Sequence, residues 1–393
     1  MPTASNPFRV HGIAEDEYFT DRADEVARIA RTLTEPGAKL LVYGPRRMGK
    51  TSALARAVAR VREQGHLACI ADLSTASTVA DMGNRVMAAA ARVLGRDWGD
   101  FADALARGLR ASLVFTPDHA TGIVTPSFEL SLRAVAVEVQ RERFGEVLDA
   151  IDALAARRRR TVGLVLDEFQ EIERFGGEAA EWHLRGVLQR HQHLAYVLAG
   201  SQPALIRRML SEGQAFYGLL DQLQFGPMDP AHLAAWIDER MTTHGVAARG
   251  VGARAIALAG PRTRDVVVVA RRAYELARLR GEAEAADADA ALAEVAAEQD
   301  DLLRAQWEEL TPLQQNVLRA VAMDAGGLTT RDTLQRFALP SSGSAANAAV
   351  ALIDAGRLVR DAATATGHAF ENPFFREWVR RRTLRDLGPA VLP

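Results

Sequence analysis

The stretch Lys39–Thr51 reads KLLVYGPRRMGKT, and the helix-forming run Ser52–Val61, SALARAVARV, follows it without a break. A short apolar strand, a loop bounded by Gly44 and Gly49, then a lysine and a threonine at a helix start make up G-x-x-x-x-G-K-T in the context that gives this pattern meaning. The amides of such a loop and of the helix N-terminus converge on one point. Unpaired donors and the positive end of the helix dipole there favour phosphate. Gly44 and Gly49 permit the tight path, and Pro45, Arg46, Arg47 and Met48 complete the loop. By this chemistry Lys50 is expected to reach the β- and γ-phosphates of ATP. The Thr51 hydroxyl is expected to ligate Mg2+, and Ser52 continues the phosphate-binding turn.

Working outward, Thr161–Ile172, TVGLVLDEFQEI, is a second apolar strand that ends in two carboxylates. Asp167 and Glu168 therefore emerge at a strand's C-terminal end, where ligands bind in open α/β sheets. Asp167 suits the magnesium shell through water, and Glu168 suits polarisation of the attacking water. An aspartate after a strand is also a common helix N-cap. A third strand, Ala195–Ala199, runs into Gly200-Ser201-Gln202. Ser201 is placed to sense the γ-phosphate or orient water, with Gln202 the second candidate.

Strand-like runs alternate with helical stretches up to about residue 227: Lys39–Tyr43, Leu67–Leu73, Val162–Leu166, Ala195–Ala199 and Gln222–Phe225. They read as apolar throughout, as strands buried on both faces do, which predicts an α/β fold with a parallel five-stranded sheet and helices on both faces. Within this region, SLVF…TPDHATG…IVTPSFELSL at about 112–132 reads as an inserted β-hairpin before a helix over Ala134–Arg157. Residues 228–281 read as purely helical, and 282–310 as a connecting helix or linker, rich in alanine and acid and without a strong apolar face. Over 311–393, three short helices are followed by two strand-like runs and an arginine-rich terminal helix. That is the make-up of a winged-helix domain.

The 393 residues exceed one ordinary domain, and 48% hydrophobic with 25% charged residues supports a sizeable core. The net charge of −2 leaves nucleic acid open, since a basic patch can sit within a neutral total. The single cysteine, Cys69, excludes an intrachain disulfide and reads as a core residue. No secretory signal or membrane-length apolar run is present, so a cytoplasmic protein is expected. Lys39 and Lys50 are the only lysines among 48 basic residues, and one of them stands at the phosphate-binding position. His183, His191 and His193 lie close in sequence, but without a neighbouring carboxylate or cysteine they do not read as a metal site.

The order GPRRMGKT, VLDEFQ and LAGSQ, preceded by NPFRV and YFTDRADEV, resembles the archaeal-type ATPases within the AAA+ and STAND class of P-loop proteins. The resemblance runs from Asn6 to about Arg382. It implies a P-loop NTPase core over 1–227 with strand order five-one-four-three-two, a helical lid and a C-terminal winged helix. It also implies that Asn6, Pro7 and Phe8, with Asp21, Arg22 and Glu25, flank the adenine. A lid arginine, Arg262 or Arg264, would face the γ-phosphate. From the residues alone, Tyr18–Arg22 is only a capped helix start. Ring-forming members carry a trans-acting arginine near the fifth strand, yet Met209–Glu239 contains no arginine. Slow turnover and a switch-like use of ATP and ADP are therefore expected, unless Arg207 or Arg208 substitutes.

Two uses of the nucleotide remain open: a switch read by a protein partner, or an ATPase that grips duplex DNA through the winged helix, with oligomerisation possible in either case. The groove-facing helix of such a domain needs phosphate-binding residues. Here it reads SSGSAANAAVALIDAG, with no basic residue between Arg336 and Arg357. Arginines cluster instead at Arg157–Arg160 and at Arg376, Arg380, Arg381, Arg382 and Arg385. The switch is the favoured expectation.

Overall fold

The computed structural model describes residues 6–14, 16–94, 112–117, 124–129 and 137–388. The chain divides into two compact units, Ile13–Gly226 and a second made of Met1–Gly12 with Pro227–Pro393.

The first unit is built on five parallel strands, each short and apolar enough to be buried between helices. They are β1 Lys39–Tyr43, β2 Leu67–Asp72, β5 Val162–Asp167, β6 Leu194–Gly200 and β7 Asp221–Gln224, in spatial order β2-β5-β6-β1-β7. Counted within this sheet alone, that is the order five-one-four-three-two. Every residue of β5 and β6 is buried. Helices α1 Ala23–Thr34 and α2 Lys50–Glu63 cover one face, where Ile29, Leu33, Leu54 and Val58 meet Val42, Val165 and Val197. The other face is covered by α3 Val79–Leu94, α4 Val137–Arg158, α5 Glu171–Arg190 and α6 Pro203–Leu210, with Phe144, Leu148, Leu184 and Ile206 against Leu164, Tyr196 and Leu198. Cys69 lies in this second core, and burial pushes its thiol up to about 12.

β7 differs from the expectation of a doubly buried strand. It pairs only with β1 and reads Asp-Gln-Leu-Gln, polar because one edge carries no further strand. The expected hairpin is present as antiparallel β3 Ser112–Pro117 and β4 Val124–Glu129, while its turn and the residues before α4 lie outside the described residues.

The second unit opens with α7 Pro230–Thr243, started by Asp229, which accepts from the His232 amide, and by Pro230 in the first turn. It continues with α8 Val251–Ala259 and α9 Thr263–Ala277. The stretch is not purely helical: β8 Ala247–Arg249 pairs in parallel with β9 Glu282–Glu284. The alanine- and acid-rich segment forms α10 Ala285–Glu298, and it does carry a core face. Ala288, Ala291, Leu292, Val295 and Ala296 are buried, and the small size of the alanines lets neighbouring helices pack close. Next come α11 Asp300–Glu308, α12 Pro312–Ala322, α13 Arg331–Arg336 and α14 Ser342–Asp354. An antiparallel pair, β10 Leu358–Arg360 and β11 His368–Phe370, and α15 Pro373–Leu387 complete the unit. Among the described residues no helix is long and apolar enough to cross a membrane.

Candidate functional site

Parallel pairing brings the ends of four strands to one edge. Tyr43 lies opposite Gly200, Asp167 opposite Ala199, and Asp72 opposite Asp167. Gly44–Gly49, Asp167-Glu168 and Ser201 consequently share the C-terminal edge of the sheet. Gly44 is the tightest point, because a Cβ there would stand 2.2 Å from the Phe225 carbonyl oxygen. The loop closes at Gly49, in the left-handed region at φ 90°, and Arg47 adopts φ 67°. Gly49 gives α2 no side-chain cap, so the first amides of that helix are left for an anion.

Lys50 is 6% exposed and donates from Nζ to the carbonyls of Gly44 at 2.8 Å and Pro45 at 2.7 Å. Burial lowers its pKa, opposed by the charges of Glu168 and Asp167. Thr51 Oγ1 donates to Asp167 Oδ2 at 2.9 Å. Burial pushes the Asp167 carboxyl up to about 6, the Thr51 hydrogen bond opposing this and the neighbouring Glu168 adding to it. Ser52 Oγ accepts the Ala14 amide at 3.0 Å. The Met48 side chain is buried in the core beneath the loop.

Glu168 stands at φ 55°, a left-handed backbone that side-chain-bearing residues rarely adopt and that recurs at functional positions. Its Oε2 accepts from Ser201 Oγ at 2.7 Å and also from Gln170 Nε2. Arg46 Nε donates to Ser201 Oγ at 3.2 Å, joining the loop to the carboxylate through the serine. Gln202 is exposed and caps the start of α6 without a side-chain bond. Sequence reasoning brought Lys50, Thr51, Asp167, Glu168 and Ser201 to one edge but passed over Gln170 and the Arg46–Ser201 contact. The signal for Gln170 was its spacing: two residues after a strand-end carboxylate, it sits in the turn that folds back on that carboxylate.

The remaining candidates sit elsewhere. Arg22 caps α1 at φ 68°, pairs with Glu25 at 2.8 Å, stacks 4.3 Å over Phe225 and donates to the Gly226 carbonyl. It thereby ties α1 to the end of β7, while Asp21 is exposed at φ 56°. Asn6, Pro7 and Phe8 belong to the second unit. Asn6 Nδ2 donates to the Arg271 carbonyl and to Glu275, the Pro7 carbonyl accepts from Arg240, and Phe8, 1% exposed, meets Trp236 edge-on. In the same unit Arg262 pairs with Glu371 and Arg264 is exposed.

The residues at the sheet edge fit a magnesium nucleotide. An uncapped helix start, a buried lysine holding loop carbonyls and a hydroxyl–carboxylate pair supply an anion cradle and hard oxygen ligands. Among the described residues no group of three or more His, Cys, Asp or Glu is gathered for a metal by itself, so the phosphates would have to complete the coordination.

A five-stranded parallel sheet with this loop after β1 defines a P-loop nucleotide-binding fold. Residues 35–209 match the AAA domain family, a span that runs from just before β1 into α6. The first unit is therefore similar to AAA-type P-loop ATPase domains. The Walker-type ATPase of Pyrococcus abyssi shares its fold at TM-score 0.57 and 14% identity, covering 95% of this chain and 99% of that one. The ORC2 protein of Aeropyrum pernix, solved as ADPNP–ADP complexes, does so at TM-score 0.58 and 14% identity over 98% of each chain. No curated protein sequence matches the chain.

Proposed function

We propose that the protein is a slowly hydrolysing, magnesium-dependent ATP switch whose nucleotide state is read by a partner protein. The observation that carries this reading is the pairing of a nearly complete hydrolytic edge with a restrained Arg208. Arg208, one of two candidates near the fifth strand, is held by Glu181 at 2.8 Å and by Glu173 at 3.6 Å. Arg207 is exposed, and residues 209–239 contain no arginine. An arginine finger supplies about 10³–10⁵ in rate, and a site without one turns over slowly.

In this reading Lys50 releases the loop carbonyls to bind β- and γ-phosphate oxygens. Thr51 and Asp167 would hold magnesium, Asp167 through water, and the ion would screen phosphate charge. Glu168 orients the attacking water and accepts its proton, and Ser201 holds the carboxylate while facing the γ-phosphate. Arg22, at the start of α1 and stacked over Phe225, borders the adenine. The working division is an ATPase core over 1–227, a lid over 228–281, a connecting helix over 282–310 and a winged-helix domain over 311–393.

A protein partner is favoured over duplex DNA because Arg380, Arg381 and Arg382 of the terminal cluster already lie beside carboxylates. Arg380 and Arg381 pair with Glu377, and Arg382 approaches Asp386 while lying over Trp307 and Trp378. The α14 helix has no basic residue.

The test is thermal unfolding with and without Mg-ATP. Ligand at about 100 times its Kd adds about 2.7 kcal/mol, a clear rise in Tm. Lys50→Ala should fold and lose the rise, whereas an equal rise in both proteins would overturn the assignment.

A further inference from the structure

Gln170 is 1% exposed and stands at the N-cap of α5, yet its side chain makes no capping bond. The side chains favoured at this position are short ones that accept from the helix amides. Here Nε2 turns back to Glu168 Oε2, the oxygen that also receives Ser201 Oγ–H. A carboxylate only accepts hydrogen bonds, so the amide must present its nitrogen to Glu168, and its oxygen must point the other way. That oxygen is buried and has no hydrogen-bond partner among the described residues. It lies against Gly200, where a Cβ would come within 2.6 Å of it and 2.2 Å of Ile206 Cδ1. The packing thus leaves an acceptor unsatisfied in order to direct one donor at one carboxylate, and the small residue at 200 keeps the space open.

We infer that Gln170 is a positioning residue for hydrolysis. Together with Ser201 it holds Oε2 of Glu168, so that Oε1 is the oxygen turned toward the attacking water. This inference rests on the reading of Glu168 as the hydrolytic carboxylate.

The experiment is single-turnover ATP hydrolysis, with ATP affinity measured in parallel, for wild type, Gln170→Met, Glu168→Gln and the double variant. Methionine keeps the length and the burial and removes the donor. Gln170→Met should lower the hydrolysis rate about tenfold, as expected for losing a hydrogen bond to a charged group, with ATP affinity unchanged. In the Glu168→Gln background the same change should cost less than about twofold, because a residue acting through Glu168 has nothing left to position. Gly200→Ala, which displaces the amide and leaves its chemistry intact, should reproduce the rate loss in protein that still shows the nucleotide-induced rise in Tm. An unchanged rate in Gln170→Met, or an equal loss in both backgrounds, overturns the inference. A wild-type rate in Glu168→Gln alone would instead overturn the reading beneath it.

Discussion

The two edges of the central sheet both bury ionisable groups, and they treat them in opposite ways. At the N-terminal edge, beside the start of β6, His191 bonds Tyr196 Oη at 2.6 Å through Nδ1 and Asp149 at 2.7 Å through Nε2. Arg190 binds both oxygens of Asp149, and Asp152 accepts the amides of His193 and Leu194. Burial pushes the Asp149 carboxyl up, but the bonds from Arg190 and His191 outweigh it and hold the group below its usual range. Burial lowers His191 and raises Tyr196. At the C-terminal edge the balance is reversed. Asp167 is pushed up to about 6, Lys50 is lowered, Glu168 has a strained backbone and Gln170 keeps an unpartnered oxygen. A network whose members satisfy one another holds α4 against β6 and asks for nothing more. An edge with spare capacity, strain and disfavoured charge is arranged for a ligand.

The sharpest way to break this comparison is to remove one carboxylate charge at the C-terminal edge. Glu168→Gln should keep the fold and the Mg-ATP rise in Tm while lowering turnover on the order of 10²–10³. Hydrolysis at the wild-type rate would make Glu168 structural and erase the contrast. Next in size is Tyr196→Phe at the other edge. It strips the partner from a buried imidazole nitrogen and should cost about 1–3 kcal/mol of stability, with turnover per folded molecule unchanged. Denaturant unfolding alongside a steady-state ATPase assay reads both quantities. A catalytic loss there as large as that of Glu168→Gln would mean that the two edges are not separate in function.

The C-terminal edge was the more legible of the two because its chemistry is sequential. Gly44, Gly49, Lys50 and Thr51 lie within eight residues, and Asp167-Glu168 are adjacent, so motif and strand assignment together located them. The alternating strand and helix pattern pointed to the parallel sheet, while its strand order was implied by the family resemblance. The neighbouring sequence shows no carboxylate partner for His191, yet Asp149 reaches it from α4, 42 residues earlier. No local pattern carries such a contact. The same reason hid β8 and β9, three-residue strands that exist only as each other's partners. The packed face of α10 was missed for a different reason: its contacts are made by alanines, which register weakly as an apolar stripe although they permit the closest helix approach.

The effect that vanishes at low pH should come from Asp167, and its sign distinguishes the two edges. The folded carboxyl titrates near about 6, and an unfolded aspartate near about 3.9. Between these values the folded protein binds more protons than the unfolded chain, so stability contributed by this group falls as pH rises from about 4 to 6. Asp167→Asn removes the penalised charge. Without ligand, the variant should match wild type in stability near pH 4 and exceed it by up to about 3 kcal/mol at pH 7, read from Tm measured across that range. Binding of Mg-ATP should show the opposite trend. The metal needs the ionised carboxylate, so the nucleotide-induced rise in Tm should shrink in wild type as pH falls through about 6 and be small in Asp167→Asn throughout. Unliganded wild type that outlasts the variant at pH 7 would place Asp167 with the saturated groups of the other edge. The disfavoured charge would then no longer mark the ligand-binding side of the sheet.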